Sequence, residues 1–245
     1  MHEYKHALIL PPLHATLPCL PSQELVCLGG GRTPTKDWLT QLFQQSEKGG
    51  TDRPILAIDR GVNICYALKL PPVHLIGDGD SASKAAWTWA ETQGAQVHSF
   101  PPKKDFTDTE LTLHIAAERF ARPLIILTGA FGGRLDHLMS TAAVAAHATI
   151  PCVLADERET LFYLHAGESL TVTCDTPPRA ISLLPFTEEC TGVTTHGLYW
   201  ELQDACITNR ASLAISNVLA RDNMAKTFTV SIKQGILGVY LCHKE

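Results

Sequence analysis

Between residues 24 and 156, short apolar runs alternate with longer segments whose apolar residues recur at helical spacing, and this rhythm restricts the fold more than any other feature. A short apolar run bounded by turn residues suits a strand buried on both faces. An amphipathic helix after it carries the chain back across the sheet, so that successive strands run parallel. Strands are expected at 25–28, 55–58, 73–76, 96–100, 124–127 and 152–154, and helices at 35–46, 81–93, 107–120 and 136–147. The third helix places Leu111, Ile115 and Ala116 on one face, with Thr107 positioned as its cap. Beyond residue 157 the rhythm changes to apolar runs at 160–165, 169–174, 180–185, 228–232 and 236–242, separated by Gly, Pro, Asp and Thr turns. The expected class is α/β: an N-terminal open, mainly parallel sheet flanked by helices over residues 1–156. A smaller antiparallel β-sandwich domain is expected over residues 157–245.

Composition narrows what such a chain can do. With 245 residues, 45% of them hydrophobic and 18% charged, the chain can bury two cores without covalent staples. A net charge of −5 with no run of Lys or Arg argues against a nucleic-acid partner. Two stretches free of Asp, Glu, Lys and Arg, at 6–23 and 137–155, are interrupted by proline or histidine, so no membrane span is expected. The apolar run at 7–10 meets Pro11 and Pro12 before an export signal could form. Eight cysteines at irregular spacing, without C-x-x-C, fit free thiols in a reducing cytoplasm.

The chemistry is concentrated where the expected strands end. The run at 55–58 leads into Asp59, that at 73–76 into Gly77-Asp78-Gly79-Asp80-Ser81, that at 96–100 towards Asp105 and Asp108, and that at 124–127 into the segment from Gly129 to Asp136. In an open α/β sheet the carboxyl ends of parallel strands face one crevice, so these loops deliver their carboxylates to one place. Clustered carboxylates repel one another unless cations sit among them or their pKa values rise. Magnesium suits a D-x-D pair, because it takes oxygen ligands and shares them with substrate phosphates; Asp78 and Asp80 are therefore read as metal ligands. Gly129-Ala130-Phe131-Gly132-Gly133-Arg134 opens a helix, a context in which backbone N–H groups meet phosphate. Arg134 offers a charged fork to phosphate oxygens, and Asp136 is placed either to orient that guanidinium or to hold a metal-bound water. Lys103 suits a solvated loop, whereas Lys104, beside Asp105, is placed to meet polyphosphate charge. There is no G-x-S-x-G elbow, no Walker loop and no H-E-x-x-H.

Taken in order, these segments resemble the thiamine pyrophosphokinase family over most of residues 29–240. The family's D-G-G-A-N corresponds to Asp59-Arg60-Gly61-Val62-Asn63 with two changes, and its G-D-x-D-S to Gly77-Asp78-Gly79-Asp80-Ser81 in full. Its D-x-T-D matches Asp105-Phe106-Thr107-Asp108, and its G-x-x-G-R-x-D-H matches the segment from Gly129 to His137 with one extra glycine step. In the β part, V-T-T-x-G-L-x-W is matched from Val193 to Trp200, and S-N by Ser216-Asn217.

The resemblance implies an α/β nucleotide domain followed by a thiamine-binding β-sandwich, in a homodimer with active sites between subunits. It implies a reaction that moves a pyrophosphoryl group from ATP to thiamine with release of AMP. Asp78, Asp80 and Asp108 would gather Mg²⁺ and polyphosphate. Arg134 and Asp136 would belong to the same site, bordered by Asp59, Asn63, Lys104 and Thr107. Trp200, or residues around Ser216 and Asn217, would meet thiamine, and a carboxylate of the Asp105/Asp108 pair would accept the hydroxyl proton. Trp200 could equally be a core tryptophan of the sandwich. Arg60 stands where the family has a glycine, and three roles are open to it: filling the pocket, pairing with Asp59, or contacting phosphate. Another alcohol acceptor such as a pterin, a nucleotide hydrolase and a non-catalytic sensor are the competing readings; the V-T-T-x-G-L-x-W element favours thiamine.

Overall fold

A computed structural model describes residues 5–44, 53–100 and 106–244. The chain opens with β1 (His6–Leu10) and β2 (Leu13–Leu17), an antiparallel hairpin turning at Pro11 and Pro12. Next come β3 (Gln23–Leu28), α1 (Lys36–Gln44), β4 (Ile55–Ile58), a 3-10 turn at Asp59–Gly61 and α2 (Val62–Leu68). β5 (His74–Ile76), α3 (Lys84–Thr92), β6 (Gln96–His98), α4 (Asp108–Arg119), β7 (Pro123–Thr128), α5 (Leu135–Ala146) and β8 (Cys152–Ala155) continue the alternation. Seven strands follow: β9 (Glu159–Leu164), β10 (Ser169–Cys174), β11 (Ala180–Pro185), β12 (Glu189–His196), β13 (Ala205–Thr208), β14 (Thr227–Ser231) and β15 (Leu237–Cys242).

The chain forms two compact units, one of residues 21–39 and 52–156, the other of residues 1–20, 40–51 and 157–245. In the first, six strands lie in the order β8-β7-β3-β4-β5-β6, and every neighbouring pair is parallel. Every residue of β4, β5, β7 and β8 is buried. Successive strand residues point to opposite faces, so this pattern means that both faces are covered. α2 packs on β3 and β4, and α4 on β4, β5 and β7. The chain runs outward from β3 through β4 and β5 to β6, then returns to β7 on the other side of β3. That reversal makes the carboxyl ends of β3 and β7 a topological switch point, where ligands bind in sheets of this kind.

The second unit is antiparallel throughout. One sheet runs β1-β2-β10-β14-β12-β13, and another set runs β11-β15-β9. Strand β10 shows the cause in its sequence: Leu170, Val172 and Cys174 are buried, while Ser169, Thr171 and Thr173 alternate with them on the more open face.

The parallel strands and the helices α1, α3, α4 and α5 fall where the periodicity places them, within a few residues. Two features differ. The run at 6–17 forms a hairpin, and its pairing to β10 puts residues 5–20 in the antiparallel unit, which corrects the span 1–156. α2 also escaped the periodicity, because it has only seven residues and no side-chain cap; it ends at Lys69 in the left-handed region (φ 56°).

Candidate active site

A cleft of about 630 Å³ opens at the switch point of the first unit. It is lined by the loops that follow β3, β4, β5 and β7 and by the start of α4 after β6. Two glycine loops form its floor. Gly29 N–H donates to the Thr128 carbonyl (2.8 Å), Gly31 N–H to that of Gly129 (2.6 Å), and Arg32 N–H to that of Phe131 (2.6 Å). The approach is possible only without side chains: a Cβ on Gly29 would lie 2.8 Å from the Gly129 oxygen, and one on Gly129 2.5 Å from the Gly29 oxygen. The second loop was expected at the site; the first was not, although three glycines directly after an apolar strand were its signal.

Asp59 follows β4 in a left-handed conformation (φ 45°), with one carboxylate oxygen accepting the Ser81 hydroxyl and the other buried without a hydrogen-bond partner. Asp78 Oδ1 accepts the Asp80 backbone N–H (3.1 Å), which folds the D-x-D segment into a tight turn around Gly79. Asp59, Asp78 and Asp80 each present an oxygen, and these atoms lie within 4.8 Å of one another. The charge of Asp78 is the main cause that raises the Asp80 carboxyl above its usual range, with desolvation next, then Asp59, and Asp108 contributing least. Crowded carboxylate oxygens, one of them buried and unpaired, suit a hard divalent cation bound through oxygen.

Asp108 also lines the cleft, with Phe106, Thr107 and Thr109. Thr107 caps α4, its hydroxyl accepting the Glu110 N–H (3.2 Å). Arg134 lines the cleft too, and a bidentate pair joins its guanidinium to Asp136: Nε to Oδ1 at 3.1 Å and an Nη to Oδ2 at 2.6 Å. Asp136 is outside the lining; the Arg134 hydrogen bond holds its carboxyl below the usual range, and it also accepts the His137 N–H. Of the two roles expected of Asp136, orienting the guanidinium requires a contact of this kind. Asn63 is likewise outside the lining: its Oδ1 accepts the N–H of Ser83, the cap of α3. Arg60 lines the cleft and donates to the Gly30 carbonyl rather than to Asp59. Lys104 and Asp105, like Lys103, lie outside the described residues.

Trp200, Ser216 and Asn217 belong to the other unit. Trp200 is 60% exposed, so it is no core residue, and it meets Tyr199 edge to face at 4.7 Å. Asn217 is buried and clasps the Trp200 backbone, its Oδ1 accepting the N–H (3.2 Å) and its Nδ2 donating to the carbonyl (2.7 Å). Ser216 adopts φ 59°, and its N–H donates to the Ser182 hydroxyl (3.0 Å). Sequence reasoning also passed over His137 and Thr141 as lining residues. Both lie on the first two turns of α5; His137 closes the G-x-x-G-R-x-D-H element, which was its signal, whereas Thr141 has nothing that distinguishes it from helix surface.

Comparison with known proteins agrees with this geometry. Residues 51–153 match the model of the thiamin pyrophosphokinase catalytic domain, and residues 169–237 that of the thiamin pyrophosphokinase vitamin B1 binding domain. Thiamine pyrophosphokinase of Bacillus subtilis (strain 168) is 30% identical over 195 residues, covering 77% of this chain and 88% of the relative. The crystal structure of a Geobacillus thermodenitrificans thiamin pyrophosphokinase superposes with a TM-score of 0.73 at 27% identity, covering 91% of this chain and 98% of that one. A Bacillus subtilis thiamine pyrophosphokinase structure shares the fold with a TM-score of 0.75 at 23% identity, covering 91% of this chain and all of that one. The chain therefore belongs to the thiamine pyrophosphokinase family, enzymes that transfer pyrophosphate from ATP to thiamine.

Proposed function

We propose that the cleft of the first unit binds ATP with Mg²⁺ and passes its terminal pyrophosphoryl group to the hydroxyl of thiamine. The observation that carries this reading is the meeting of Asp59, Asp78 and Asp80 beside two glycine loops at the switch point. Those three carboxylates, with Asp108 on the same cleft, are the residues that would hold the magnesium. The ion supplies charge neutralisation for the polyphosphate and polarises its oxygens. In the reaction the thiamine hydroxyl oxygen bonds to the β-phosphorus as the bond between that phosphorus and the α,β-bridging oxygen breaks. AMP leaves with that oxygen, and the hydroxyl proton passes to a carboxylate of the Asp105/Asp108 pair.

Positioning and electrostatics carry most of such a reaction. The glycine loops admit phosphate close to the backbone, Arg134 faces the charge that develops on the transferred group, and Asp136 orients Arg134. Lys104 and Thr107 border the polyphosphate. Asn63 acts through Ser83, fixing the start of α3. Trp200 offers an exposed aromatic face to the flat thiamine cation, a contact worth about 0.5–2 kcal/mol. Asn217 holds that tryptophan's loop in place, and Ser216 precedes it, its N–H bonded to Ser182. We assign a homodimer with active sites between subunits and a cytoplasmic location, which suits eight free cysteines.

The test is incubation with ATP, Mg²⁺ and thiamine, omitting each in turn, followed by chromatography of the products. Thiamine diphosphate formed in step with AMP, and without ADP, supports the reading. ATP consumption that does not depend on thiamine would replace it with a hydrolase.

A further inference from the structure

The geometry points to Arg60 as a polyphosphate-binding residue, holding the phosphate oxygens of the nucleotide next to the Asp59 carboxylate group. Among the described residues, the cleft lining carries the acids Asp59, Asp78, Asp80 and Asp108 and two guanidinium groups, those of Arg60 and Arg134. The two cations differ in how they are held. Arg134 already has its fork matched by Asp136. Arg60 meets no carboxylate among the described residues; one N–H donates to the Gly30 carbonyl, a neutral acceptor. A guanidinium has five N–H donors, so four have no hydrogen-bond partner among the described residues, on a side chain that lines the cleft.

The local fold explains why this side chain is aimed there. Arg60 sits in the 3-10 turn after β4, and the next residue presses against the end of β3, where a Cβ on Gly61 would fall 1.8 Å from the Leu28 oxygen. The arginine stem then lies along the first glycine loop: a Cβ on Gly30 would come within 3.2 Å of the Arg60 Cβ and 3.3 Å of its Nε. Gly30 makes room for the stem and its carbonyl anchors the head, so the guanidinium is directed before ligand arrives. A charged fork of this kind suits a bidentate pair with phosphate oxygens. Its place beside four acids also offsets the repulsion that those acids exert on an anionic nucleotide.

This assignment rests on the reading of the cleft as a nucleotide site. It is tested by calorimetric titration of the full chain with Mg·ATP and with adenosine, without thiamine, for the wild type, Arg60→Ala and Arg60→Lys. Arg60→Ala is expected to weaken Mg·ATP binding about tenfold or more and to leave adenosine unchanged, as loss of a charge-assisted bond requires. Arg60→Lys should recover part of that loss, and the thiamine KM should stay at the wild-type value. Equal Mg·ATP affinity in a folded Arg60→Ala chain would overturn the proposal. So would a parallel loss of adenosine binding, or a wild type that does not bind Mg·ATP. If Mg·ATP binding depends on Arg60 while no thiamine diphosphate forms, this assignment stands and the acceptor reading fails.

Discussion

Asp59 places the sharpest electrostatic demand on the cleft, because one of its oxygens is buried without a partner while Asp78 and Asp80 crowd it. Repulsion of this kind costs stability and is relieved by a cation or by a proton. Asp80 has its folded-state carboxyl pKa raised, so in the pH window between the ordinary carboxylate value and the raised one the folded chain holds a proton there that the unfolded chain has released. Stability from this group is therefore gained as pH falls through the raised value and is lost above it. Asp80→Asn should abolish that part of the pH dependence in thermal melts, leave the fold intact and lower turnover by about a hundredfold or more. An active Asp80→Asn enzyme would remove Asp80 from the metal set. Arg134→Ala should raise the KM for ATP while leaving the melting temperature in place, because Arg134 and Asp136 are 74% and 62% exposed and their pair is screened by solvent. Trp200→Ala, changing an exposed side chain, should raise the thiamine KM and spare that for ATP. Most of these residues were visible as acids and glycines at strand ends. Asn63 and Asp136 were not separable from the lining residues, because a motif lists neighbours in sequence without saying which side chains face the ligand.

The elements supply the rigidity that these side chains need. Gly61 lets the turn after β4 press on β3, and Gly61→Ala should destabilise the first unit by about 3 kcal/mol in denaturant unfolding, since its Cβ would meet a backbone oxygen. Thr107→Ala removes the cap of α4 and should cost about 1 kcal/mol, with a smaller loss for Thr107→Ser. Strands β3, β4, β5, β7 and β8 were legible because a sheet covered on both faces needs largely apolar runs, and α3, α4 and α5 because their faces repeat at helical spacing. The hairpin at residues 6–17 and α2 were not. Each is short, and each is fixed by packing on neighbours distant in sequence: β2 on β10, and α2 on α3 and β3.

For the molecule as a whole, no helix among the described residues is long and apolar enough to cross a membrane. Sedimentation of the purified chain should give twice its 26.7 kDa if the proposed homodimer forms. The buried carboxylate of Asp156 closes the first unit through Arg32, with Nη to Oδ2 at 2.6 Å. Asp156→Ala should cost about 1–3 kcal/mol, because it removes the charge-assisted hydrogen bonds that the buried acid accepts from Arg32. The sequence by itself determined the class of each region, the parallel order of strand and helix, and most of the loops that line the cleft. These are local properties, written in periods of two and of 3.6 residues and in the turn residues between them. Only the tertiary structure decided that the oxygens of Asp59, Asp78 and Asp80 come within 4.8 Å of one another, that Gly29 lies against Gly129, and that Arg60 reaches Gly30. Those meetings depend on the order of strands in the sheet, which is set by the packing of both faces at once and leaves no repeating trace along the chain.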